Sequence, residues 1–227
     1  MRKLLIALVI LVVLFIAVDR IGVVLAEDQI ASRIATAYNL PTDPGVSITG
    51  FPFLTQVVTG NYQQIDVTAD QVQADGATLH DLNVHLTGVH ATISQLLGSG
   101  TSTVTADQAA GSALVGWATV DQRLPRGFRI TPDGKNLMVS GKLSYRGLEV
   151  PVTGSVALGV SGSGITVTPE NVSLPGGISL PVSSVSQLRF VVPLGNLPLH
   201  LHLTSVQVTP GGLRIGAAAR NVQFARS

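Results

Sequence analysis

From Leu4 to Val18 the chain runs fifteen residues without a polar side chain. The amino terminus, Arg2 and Lys3 lie before this run, and Asp19, Glu27 and Asp28 follow it. That asymmetry orients the segment with its N-terminus in the cytoplasm and the rest of the chain outside. A helix of fifteen residues covers roughly 22 Å, short of the ~30 Å hydrocarbon core of a bilayer. The length suits a signal-peptide core, and Val24-Leu25-Ala26 offers small residues at the −3 and −1 positions of a cleavage site. If the leader is kept, Arg20 reaches back to the interface and Ile21 to Ala26 lengthen the buried stretch. Residues 1–19 therefore read as a signal peptide or a signal anchor.

Beyond the leader the period changes twice. Ile21, Val24, Leu25, Ala31, Ile34, Ala35 and Tyr38 recur at three- and four-residue steps, which predicts an amphipathic helix over Arg20–Tyr38. Asn39-Leu40-Pro41 ends it, because Pro41 cannot continue the helical ladder. From Val46 onward apolar residues alternate with polar ones: Val46 and Ile48, Ile65 and Val67, Leu82, Val84 and Leu86, then Leu199, Leu201 and Leu203. A period of two predicts strands with one packed and one wet face.

A weak repeat organises the second half. Thr131-Pro132-Asp133-Gly134, Thr168-Pro169-Glu170-Asn171 and Thr209-Pro210-Gly211-Gly212 each place Thr-Pro before a turn-forming pair, predicting three hairpin tips. Two short helices are predicted near Ile93–Leu97 and Trp117–Leu124. No polar linker divides the chain, so residues 20–227 read as a single α+β domain, a long antiparallel sheet packed on the N-terminal helix.

Composition sharpens this picture. Charged residues are 12% of the chain, about half the usual ~25%. Net charge is +1, too little to attract nucleic acid. Mean hydropathy is +0.43, which calls for apolar surface hidden against a membrane or a lipid. Cysteine is absent, excluding a lipid-modified cysteine anchor, disulfides and thiolate metal sites.

No catalytic constellation emerges. Gly159-Val160-Ser161-Gly162-Ser163 fails the nucleophile-elbow pattern at its last position. Gly162-Ser163-Gly164-Ile165-Thr166-Val167 fails the dinucleotide fingerprint, and no other cofactor motif is present. His200 and His202 share a strand face but lack a third ligand, while His80, His85 and His90 alternate faces. Asp66, Asp70, Asp75 and Asp81 occupy polar and turn positions. Exposed strand residues are the better reading of both sets, with no metal.

What remains is apolar. Gly50 to Val58 concentrates Phe51, Phe53, Leu54 and Val57 beside Pro52, and Leu188 to Leu199 carries Phe190, Val192, Leu197 and Leu199 among prolines. Both stretches fit ordinary core, or the wall and mouth of a lipid cavity.

Val-x-Ile-x-Gly-Phe-Pro-Phe-Leu-Thr-Gln over Val46–Gln56, Pro193-Leu194-Gly195-Asn196-Leu197-Pro198-Leu199 and Thr204 to Leu213 resemble the actinobacterial envelope proteins named for lipomannan elongation factor A. The resemblance implies an exported protein of tubular lipid-binding architecture, like half of a bactericidal/permeability-increasing protein, that handles phospholipid or lipoglycan intermediates. It implies no catalytic residue. Ile34, Tyr38, Phe51, Phe53, Leu54, Val57, Trp117, Phe190, Val192, Leu197 and Leu199 are then the expected lipid-lining residues, with Arg123, Arg126 or Arg189 meeting a phosphate at the mouth. The alternative is a non-catalytic envelope scaffold or assembly factor whose sheet edge binds a protein partner. An enzyme has the least support.

Overall fold

A computed structural model describes residues 2–74, 77–96, 104–122, 127–134, 136–145, 148–161, 164–174, 178–179, 190–193 and 201–224. The fold is α+β. The long helix α1 (Arg2–Tyr38) leads into β1 (Gly45–Thr49), α2 (Phe53–Thr59), β2 (Asn61–Ala74), β3 (Ala77–His90), α3 (Ile93–Leu96), β4 (Val104–Gly116) and α4 (Trp117–Gln122). Then follow β5 (Arg129–Asp133), β6 (Asn136–Tyr145), β7 (Leu148–Ser161), β8 (Gly164–Leu174), β9 (Ile178–Ser179), β10 (Phe190–Pro193), β11 (His202–Thr209) and β12 (Gly212–Phe224). One sheet has the order β1-β2-β3-β4-β12-β11; the other has the order β10-β8-β7-β6-β5, with β9 added to β8. Every pairing with a described register is antiparallel.

The chain divides into two compact units, residues 1–72, 82–111 and 219–227 in the first and 73–81 and 112–218 in the second. β2, β3, β4 and β12 each contribute residues to both, so neither unit is one continuous stretch of chain.

In the first unit, leader and amphipathic segment form one uninterrupted helix. Residues 2–18 of α1 are exposed, and the first buried side chain is Asp19. From there Val23, Ala26, Ile30, Ala31 and Ala35 are buried at three- and four-residue steps. This corrects the predicted face in its first half, because Ile21, Val24 and Leu25 are exposed. The reason lies in side-chain size: Gly22 and Ala26 let α2 and the sheet approach closely, with the Gly22 position facing the Phe53 ring. Val23, Ala26 and Ile30 join Ile48, Phe53, Tyr62, Ile65, Val89, Ala91 and Ala106 in one buried cluster.

Two acids on α1, eight residues and so just over two turns apart, tie it to the rest of the unit. The Leu54 N–H donates to Asp19 Oδ1 at 2.8 Å, and the Ile48 N–H donates to Glu27 Oε1 at 2.7 Å. Among the described residues β1 is the edge strand of its sheet, and Glu27 accepts a hydrogen bond from an N–H on that edge strand. Glu27→Ala is expected to cost about 1–2 kcal/mol, the penalty of stranding a partly buried donor, as read from urea unfolding.

The second unit is built on hairpins. β5 and β6 reverse between Asp133 and Asn136, and β11 and β12 reverse at Pro210-Gly211, as the Thr-Pro repeat predicted. Its middle copy does not turn. Asn171 pairs with Ser155 and Pro169 with Val156, leaving Glu170 as an extra residue inside β8. A bulge accommodates Pro169, which has no N–H for the ladder, and the pairing of Val172 with Gly154 carries the strand onward.

Candidate functional site

The expected lipid-lining residues fall into three groups. Phe53 is buried in the first unit's core, and Ile34 and Val57 pack against that core. Leu54 is half-buried, while Tyr38 and Phe51 are exposed. Arg20 stacks its guanidinium 5.3 Å from the Phe51 ring centroid. In the second unit Trp117 is half-buried, and Phe190 and Val192 pair in register with Val167 and Ile165. Leu197 and Leu199 lie outside the described residues, as do Arg123, Arg126 and Arg189.

The two units differ in how their apolar interiors are sealed. Among the described residues the first unit's cluster has ten buried side chains. Eight partly covered side chains pack against the first cluster too, but the second unit's cluster has three buried members, Leu137, Val156 and Leu213, with eight partly covered ones around them. Those eight are Trp117, Val120, Ile130, Val139, Leu158, Val167, Val208 and Ile215.

Strand register explains why they meet. Ile130 opposes Val139, Leu137 opposes Val156, and Leu158 opposes Val167, so each pair shares a sheet face. Val208 opposes Leu213 on the β11–β12 hairpin, and β11 packs against β7. Trp117 is pinned at the edge of this face by its indole N–H, which donates to the Pro210 carbonyl at 3.0 Å. Among the described residues the eight half-buried side chains of this face are all apolar. Sequence reading missed Ile130, Val139, Leu158 and Val167, although Val150, Val152, Val156, Leu158 and Val160 alternate in the manner that found other strands.

The first unit's core contains polar exceptions. The Tyr62 hydroxyl and the Gln56 side-chain nitrogen are buried without a hydrogen-bond partner. Gln56 Oε1 accepts the Gln63 N–H at 2.9 Å, which accounts for the amide but not its nitrogen. Burial pushes the Tyr62 hydroxyl above its ordinary value of 10.0. The neutral form is favoured in the fold, so its stabilisation is complete below pH 10.0 and is lost as pH rises beyond that. Tyr62→Phe is expected to stabilise the protein by about 1 kcal/mol near neutrality, since it removes an unpaired buried hydroxyl. It should also flatten the alkaline loss of stability; thermal melts from pH 8 upward would check both.

The described histidines are surface groups. His85 pairs with Asp66, and His90 contacts Asn61 and Asp107. Among the described residues no three His, Asp, Glu or Cys side chains gather as metal ligands; His200 lies outside them.

Fold and interior together define an α+β protein with an apolar strand face that its own described side chains cover only in part. Residues 17–218 match the model of the LmeA-like phospholipid-binding family, and the chain belongs to that family. Lipid is therefore its ligand class. No curated protein and no solved structure matches it significantly. The long apolar helix α1 is compatible with a signal peptide or membrane anchor.

Proposed function

We propose that this chain is a non-catalytic, exported envelope protein that holds or shuttles a phospholipid or lipoglycan intermediate on the apolar face around Trp117. The half-covered strand rows of the second unit carry the reading. Acyl chains bind such a face by leaving water, at ~0.8 kcal/mol for each buried methylene. About ten methylenes would outweigh the ordering costs of capture. Residues 20–227 act as one lipid-binding domain, a reading supported by the four strands common to both units.

The leader is retained as an anchor. Cleavage after Ala26 would remove Asp19, Val23 and Ala26, all buried in the folded protein. An anchored domain would take its lipid from the membrane to which it is fixed. Against the scaffold alternative, strand addition at β1 is opposed by Glu27, which already occupies the Ile48 N–H.

The test is to purify the protein from its membrane, extract it with solvent and identify co-purified lipid by mass spectrometry. Phospholipid or lipoglycan recovered in stoichiometric amount supports the reading. An empty protein that also takes up no added phospholipid overturns it.

A further inference from the structure

The helix α2 has no polar residue of its own at its N-cap, which is Pro52. Its first turn is instead held by Asp19, a buried carboxylate on α1 thirty-five residues earlier. Asp19 directly follows Val18, the last residue of the apolar run, and its neighbour Arg20 donates to Asp19 Oδ2 at 2.7 Å. The hydrogen bond from Leu54 therefore fixes α2 beside the end of the apolar run, where α1 continues into Ile21 to Ala26 near the membrane boundary.

The exposed side chains there mix apolar Phe51 and Val58 with Thr55 and Thr59, a composition suited to an interface rather than to hydrocarbon. Val58 is 87% exposed and Phe51 is 58% exposed, whereas Phe53 and Gln56 face inward. Val58 stands four residues from Leu54, within about 6 Å of helical rise of the tie to Asp19. The Phe51 ring lies beneath the Arg20 guanidinium. An aromatic ring and a snorkelling cation suit the boundary between headgroups and acyl chains.

We propose that the Phe51–Val58 segment seats in the headgroup–acyl boundary of the bilayer that α1 crosses, giving the domain a second attachment beside its anchor. The occupant is the lipid surface, because the segment is continuous with the apolar span through Asp19 and Arg20. Anchor and α2 form a two-point mount that restricts rotation of the domain about α1. This inference rests on retention of the leader.

The chain has no cysteine, so one introduced thiol is labelled uniquely. Val58→Cys in the full chain would carry an environment-sensitive fluorophore, with the protein in phospholipid nanodiscs containing spin-labelled lipid. Thr42→Cys is the control. Its neighbour Asp43 contacts Ser32, thirteen residues after Asp19, about 20 Å further along the helix. The expected result is blue-shifted emission at Val58, strongly quenched by a spin label near the headgroup, and unquenched emission at Thr42. Water-like, unquenched emission at Val58 overturns the proposal. Equal quenching at both sites also overturns it, by showing a domain lying flat on the bilayer. So does disulfide cross-linking of unlabelled Val58→Cys chains, which would make a second copy the occupant. Intact mass separates the underlying readings: loss of the leader sinks both retention and seating, while a full-length mass with unquenched Val58 sinks seating alone.

Discussion

A chain beginning at Glu27, the product of cleavage after Ala26, is expected to unfold at about 1 M lower urea than one beginning at Asp19. Burial of Val23 and Ala26 contributes about 2–3 kcal/mol, and both side chains leave with the cleaved segment. Their loss uncovers Phe53, which is 3% exposed in the intact fold. It also leaves the first turn of α2 without the Asp19 carboxylate. The comparison isolates the structural part of the leader from its targeting part, since neither chain contains the apolar run. Equal midpoints would mean that Asp19–Ala26 is dispensable to the fold, and retention would lose its physical motive.

Phospholipid uptake should fall roughly tenfold or more when Leu158 or Val167 is replaced by Asp. The two residues oppose each other on β7 and β8 within the half-covered apolar face. A carboxylate there removes apolar contact and must be desolvated or left wet wherever an acyl chain lies against it. Both positions are only partly covered, so the folded state should tolerate the change better than a sealed core would. Gln207→Asp, on an exposed position of β11, should leave uptake unchanged. Titration with a fluorescent phospholipid, with melts to confirm folding, would measure all three.

The strands and their turns were legible where the signal was local. Alternation at Val46–Ile48 and the turn at Pro210-Gly211 depend on neighbouring residues, and both appear in the fold, while of Leu199, Leu201 and Leu203 only Leu203 falls within a described strand. The short helices at Ile93 and Trp117 were legible in the same way. α2 was not. Thr55, Val57, Val58 and Thr59 are β-branched, residue types that disfavour a helix, and in sequence the segment reads only as an apolar stretch. Its helix is stabilised from outside, by Asp19 at one end and by Gly60 in the left-handed region at the other.

Candidate residues divided along similar lines. Phe53 and Trp117 stood out as rare large aromatics, but size does not distinguish a sealed core from a half-covered face. The buried face of α1 was misread in its first half because Ile21 to Ala26 carry no polar side chain to mark a wet side. Only the tertiary partner, seated over Gly22 and Ala26, decides which side packs. The proline in β8 marked a turn in sequence terms, whereas strand pairing on both sides of it made a bulge.

Trp117 is the chain's one tryptophan, so its fluorescence reports from the edge of the proposed lipid face without any label. Adding phospholipid with brominated acyl chains to the purified full chain, below the lipid-to-protein ratio of bulk bilayer, tests lipid capture at that face directly. The expected result is saturable quenching of Trp117, reversed by unbrominated phospholipid and lost in Val167→Asp. Trp117 emission unchanged by brominated lipid, in a protein that nevertheless binds it, would place the ligand elsewhere and contradict this reading.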